Sequence, residues 1–111
     1  MNVNPWSALV LAGLFEVGFT TCMKLSLGFT KWTFVAGFVL FAVLSFTFLA
    51  EAAKVIPLGT SYAVWTGLGA VGTALVGVLF FNEPAGFARI VLLTILIGSI
   101  VGLKFVSDVG H

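Results

Sequence analysis

The stretch KWTFVAGFVLFAVLSFTFLAE, residues 31–51, carries no charged side chain between Lys31 and Glu51. A helix of about 20 apolar residues, at about 1.5 Å rise per residue, crosses a hydrocarbon core of about 30 Å. The run is therefore read as a membrane span near 33–50, and the same reading extends outward in both directions. Between Lys54 and Glu83 there is again no charge, which places a span near 58–81. From Ile90 the chain is uncharged to Lys104. A helix over about 87–106 lets that lysine carry its ammonium out to the interface. Toward the N-terminus, 6–23 is apolar except for Glu16. The expected fold is an all-α membrane protein of four transmembrane helices in one domain, residues 1–111.

Composition points the same way. Of 111 residues 60% are hydrophobic and 8% charged, against roughly 25% charged in a soluble domain. So few charges cannot build a water-exposed surface, and neither a soluble catalytic module nor a nucleic-acid partner is expected. The first apolar run has no Lys or Arg ahead of it and an acid inside it, so it reads as a mature membrane helix and not a signal peptide. Only tight turns fit between the spans. Gly28 with Phe29 and Thr30 marks the first, Pro57 with Gly59 the second, and Asn82 with Pro84 and Gly86 the third,. Pro57 suits the start of the third helix, and Glu83 beside Pro84 suits the start of the fourth, where negative charge is favoured. Glu51 and Glu83 fall at span ends and are expected to have no transport role. Cys22 is the only cysteine and cannot close an intramolecular disulfide; no metal-ligand spacing and no cofactor motif is present,. His111 reads as a solvated tail.

An even number of spans puts both termini and the middle loop on one side of the membrane. That side holds Lys54 and Lys104, and the other holds Lys24, Lys31 and Arg89. The positive-inside rule has almost no bias to act on. Copies inserted both ways, and hence an antiparallel pair, are one outcome; a topology fixed by some other feature is the alternative. Four short helices also enclose little space, which favours a second copy. Gly98 and Gly102 form a small-xxx-small pair on the fourth helix, a spacing that lets helix backbones approach in lipid.

The chemistry centres on Glu16. It lies about ten residues into its helix, near mid-depth, where a charged side chain costs about 2.5–3.5 kcal/mol on insertion scales. A carboxyl kept there can hold either a proton or a cation. Phe19 and Thr20 share its helical face. On the third helix Tyr62, Trp65 and Gly69 follow the same spacing. Their aromatic faces attract cations by about 0.5–2 kcal/mol, although interface anchoring or packing explains Trp and Tyr equally well. Ser45 either orients a carboxylate or bonds back to its own helix. Gly67, Gly69, Gly72 and Gly77 fall within the third helix, as a hinge or as close-packing positions.

Residues across nearly the whole chain resemble the small multidrug resistance transporters: Glu16 followed by Met23-Lys24 and Gly28-Phe29-Thr30, the stretch Ile56-Pro-Leu-Gly-Thr-Ser-Tyr62-Ala-Val-Trp65, and the glycine-rich segment after it. The resemblance implies an antiparallel homodimer in a bacterial inner membrane, exchanging protons for a small organic cation at two shared Glu16 carboxyls. It also implies that Ser45, Tyr62 and Trp65 line the site and orient the glutamates. Trp65-Thr-Gly-Leu-Gly-Ala-Val-Gly72 and Gly102-Leu-Lys104 look like the guanidinium-exporting subtype. The branch that exports quaternary ammonium ions usually has Ser in place of Thr66 and no lysine in place of Lys104. Phe19 departs from the guanidinium pattern, standing where that subtype typically has Trp. Phe keeps a face for cation attraction but donates no hydrogen bond.

A proton-coupled guanidinium antiporter is thus the leading expectation. A broad quaternary ammonium exporter, one half of a paired heterodimer, and a structural membrane subunit that moves nothing are the alternatives. An enzyme is not expected, because no nucleophile, base and orienting partner can be assembled.

Overall fold

A computed structural model describes residues 4–110 and forms four α-helices over them: α1 (Pro5–Leu25), α2 (Trp32–Ala53), α3 (Leu58–Phe80) and α4 (Phe87–Gly110). Each is long and apolar enough to cross a membrane. His111, expected as a solvated tail, lies outside the described residues.

Local chemistry accounts for the helix ends. The Asn4 side chain accepts from the Trp6 N–H at 2.9 Å, with Pro5 in the first turn, where no N–H is needed,. After α1, Leu27, Gly28 and Phe29 all take positive φ values of 51°, 75° and 66°. That conformation costs an ordinary L-residue roughly 1–2 kcal/mol. Buried Ser26 offsets it: its hydroxyl donates to Met23 O at 2.7 Å and accepts from the Phe29 N–H at 3.0 Å. α2 runs on to take in Glu51, whose carboxylate accepts from Lys54 Nζ at 3.0 Å. Pro57 is the N-cap of α3.

The third connection corrects one expectation. Glu83 does not open the fourth helix, which starts at Phe87. Asn82 takes a left-handed φ of 56° and turns the chain back, so that the Glu83 N–H donates to Gly77 O at 3.1 Å. Its carboxylate is then bound by Arg89 at 2.9 Å.

The helices form an open layer and not a closed bundle, with extents of 45 × 37 × 17 Å. α1 packs against α2 and α3, α2 also meets α3, and α4 packs mainly on α3. At the edge of that last contact Lys104 Nζ sits 5.3 Å above the Trp6 ring. The core gathers Ala8, Leu9 and Ala12 of α1 with Ala52, Ile56, Val64 and Trp65. Small residues at the crossing let backbones approach closely, which lipid-embedded helices need because burial of apolar surface does not drive them together.

Two glycines with different surroundings allow a test. A Cβ on Gly13 would stand 2.7 Å from Leu68 Cβ, an atom fixed to the α3 backbone. On Gly67 it would meet Ile100 Cδ1 at 2.7 Å, the far end of a side chain that can change rotamer. Gly13→Ala is expected to destabilise the protein by about 1–3 kcal/mol, the usual range for overpacking, and Gly67→Ala by clearly less. The midpoints of SDS titrations in mixed micelles measure both; equal losses would mean that the α1–α3 contact yields as readily as a side chain does.

Candidate functional site

α1 and α3 run in the same direction, so residues four apart on each meet in successive tiers. Ala12, Glu16, Thr20 and Lys24 occupy one face of α1, and Trp65, Gly69, Thr73 and Gly77 one face of α3,. The Thr20 and Thr73 hydroxyls, 53 positions apart in sequence, lie 2.8 Å from each other and set the register of the two rows.

Glu16 belongs to the middle tier. It points into the space left by Gly69, where any Cβ would overlap its carboxyl group. Glu16 Oε1 is buried and has no hydrogen-bond partner among the described residues. A buried carboxyl oxygen left unmatched costs about 1–3 kcal/mol, more when charged, so the position suits an exchangeable occupant better than a structural bond.

The tier below is a fixed polar bridge. Trp65 Nε1 donates to Ser45 Oγ at 2.9 Å, and Ser45 Oγ donates to Ala12 O at 2.7 Å. Both Ser45 and Trp65 are buried. Within the single chain Ser45 does not bond back to its own helix: its oxygen accepts from the Trp65 N–H and its one proton goes to Ala12 O of α1. The bridge ties α1, α2 and α3 together one helical turn from Glu16.

Phe19 enters a ladder of rings. It meets Phe38 edge-on at 5.7 Å between centroids and lies nearly parallel to Phe46 at 6.2 Å. Phe46 in turn meets Trp65 at 5.4 Å, and Trp65 meets Tyr62 at 5.8 Å. Tyr62, expected to line the site, is 58% exposed on the single chain at the open end of this ladder. The aromatic side of the site therefore faces outward from the layer, where a second protein surface or lipid must cover it.

The glycines divide into two groups. α3 runs unbroken through Gly67, Gly69 and Gly72, each pressed against a neighbour: Ile100, Glu16 and Val17 respectively. Gly98 and Gly102 on α4 have nothing within 4 Å of an added Cβ. Cys22 packs its sulfur against Gly37 of α2. Among the described residues no cluster of His, Cys, Asp and Glu could hold a metal ion. Thr73 and Phe46 are site neighbours that the sequence reading passed over. Four-residue steps from Trp65 and Gly69 reach Thr73, whereas Phe46 follows only from the packing of α2.

Comparison with known proteins identifies the family. The family described as Small Multidrug Resistance protein matches residues 4–96. The guanidinium exporter of Yersinia pseudotuberculosis is 44% identical over 102 residues, covering 92% of this chain and 98% of that protein. The guanidinium exporter of Salmonella typhimurium is 40% identical over 99 residues, covering 89% and 94%. The probable guanidinium efflux system subunit GdnC of Bacillus licheniformis is 39% identical over 103 residues, covering 93% and 92%. A buried, unbonded carboxyl at mid-span, a four-span apolar chain and this breadth of match lead to one conclusion: the chain is a multi-pass inner-membrane protein that belongs to the small multidrug resistance family.

Proposed function

We propose that this protein exports guanidinium, or small substituted guanidinium cations, in exchange for protons, and does so as an antiparallel homodimer whose two Glu16 carboxyls share one chamber. The observation that carries the reading is Glu16 Oε1, buried beside Gly69 with no hydrogen-bond partner among the described residues. A planar guanidinium presents paired N–H donors that match the fork of a carboxylate. Once protonated, the same carboxyl loses its charge and one acceptor oxygen. Proton and cation therefore exclude each other, and that competition couples their movements. Apparent affinity for the cation falls as pH falls, because protons take the same oxygens. The names of the relatives from Yersinia and Salmonella, both guanidinium exporters, support the choice of cation.

Three features support a second copy. The layer is 17 Å thin, Tyr62 faces outward, and Gly98 and Gly102 lie open on α4. The balance of Lys54 and Lys104 against Lys24, Lys31 and Arg89 favours copies of both orientations,.

One observation favours a second reading, export of bulkier quaternary ammonium ions. Phe19 is held among Phe38 and Phe46, an apolar wall with no donor for a planar polar cation. Proteoliposomes separate the two. Guanidinium is expected to drive proton movement at least about tenfold faster than tetrapropylammonium, a barrier difference of about 1.4 kcal/mol. Equal responses would favour the broad exporter. Glu16→Gln is expected to abolish the proton response to either cation, and a response that persists would defeat the mechanism.

The dimer has its own test. Gly98→Leu adds a bulky side chain on the face of α4 where an added Cβ meets nothing within 4 Å, and is expected to weaken self-association by about tenfold or more, about 1.4 kcal/mol. Dilution of donor- and acceptor-labelled protein in lipid, read by energy transfer, measures it; unchanged association would place the interface elsewhere.

A further inference from the structure

Among the described residues no Cα of α1 comes within 8 Å of a Cα of α4, although both helices pack on α3. They stand on either side of it and leave a groove of about 350 Å³ between them. Val10 of α1 and Ile100 and Val101 of α4 form its walls, and Val64 and Leu68 of α3 its floor. Val64 is buried, whereas Val10 and Val101 are 45% and 48% exposed. The groove is thus closed beneath and open to the surrounding hydrocarbon.

One end of it carries charge. Lys104 lines the groove together with Trp6, its Nζ 5.3 Å over the indole ring. Trp6 lies in the first turn of α1 and Lys104 in the last turn of a span that closes at Val106, so both stand at the membrane surface,. Leu68 lies about 15 Å beyond Leu58 along α3,, so the floor runs from that surface toward mid-membrane.

We infer that this groove binds an anionic phospholipid, with one acyl chain lying between α1 and α4 and the headgroup phosphate at Lys104. Below the surface the lining is apolar, so nothing there repays the desolvation of a polar ligand, and water gains no partners. A hydrocarbon chain loses nothing by entering and is supplied by the bilayer itself. At the surface the ammonium complements a phosphate, as basic pockets between membrane helices do for acidic headgroups. An ammonium has three donors, so resting on the Trp6 face does not use it up. A second copy of the chain fits less well, because Gly98 and Gly102 lie roughly a third of a turn round α4 from the groove-lining residues, and neither glycine lines the groove. The inference needs only a membrane-embedded chain and is independent of what the protein exports.

Native mass spectrometry of the detergent-solubilised protein, mixed with equimolar phosphatidylglycerol and phosphatidylcholine, tests it by counting the lipids retained. Wild-type protein is expected to retain phosphatidylglycerol about fivefold over phosphatidylcholine. Lys104→Gln is expected to bring that ratio close to one, and Lys104→Arg to keep it. Lys54→Gln is the control: Lys54 belongs to the same side of the membrane but lies outside the groove, and the ratio is expected to hold. Val101→Trp narrows the groove and is expected to lower retention of both lipids severalfold. A wild-type ratio near one would overturn the inference. So would a ratio that falls as far in Lys54→Gln as in Lys104→Gln, which would mean general surface charge. Retention unchanged in Val101→Trp would overturn the groove as the place of binding. The same spectra report one copy or two, and loss of the pair in Val101→Trp with lipid retained would make a second copy the occupant instead.

Discussion

A carboxyl group at mid-depth in hydrocarbon needs a space that packed helices do not ordinarily leave, and here the missing side chain of Gly69 leaves it. That vacancy exists only if α1 and α3 hold one register, because a slip of one residue would bring Leu68 or Ala70 to face Glu16. The register is held from both ends. Below, Trp65 and Ser45 are bonded to each other and to Ala12 O; above, Thr20 and Thr73 share a hydrogen bond. Glu16 therefore lies between two polar tiers that are satisfied, and its own Oε1 is the buried side-chain oxygen without a partner among the described residues. Polar contacts among membrane helices average about 0.6 kcal/mol each, so this arrangement serves position more than stability.

The two tiers differ in kind. The Trp65–Ser45–Ala12 bridge has one arrangement, since the indole only donates and the backbone carbonyl only accepts. The threonine pair has two. A rigid bridge thus lies on one side of the carboxyl and a reversible hydroxyl pair on the other. The aromatic ladder from Phe38 through Phe19 and Phe46 to Trp65 and Tyr62 completes the rigid side.

α4 leans mainly on α3, and the exposed end of the ladder, together with the bare glycines of α4, faces outward. In lipid, exposed apolar side chains are ordinary, and a strip of glycine lets another helix approach closely.

How much of this was legible beforehand varies with the range of the interaction. The four spans, the turn glycines and the anomaly of Glu16 follow from the sequence by itself, because hydrocarbon thickness fixes a helix length and penalises a charge residue by residue. The motifs around Glu16, Tyr62 and Trp65 also carried the family resemblance, to which the match over residues 4–96 corresponds. Only the tertiary structure decided that Ser45 serves Trp65 and Ala12, that Gly69 makes room for the carboxyl, that Thr73 meets Thr20, and that Glu83 folds back toward Gly77 instead of opening α4. Each of these is set by the register between helices distant in sequence, or by the left-handed turn at Asn82. Local periodicity reports which residues share a face; which face meets which is decided by packing.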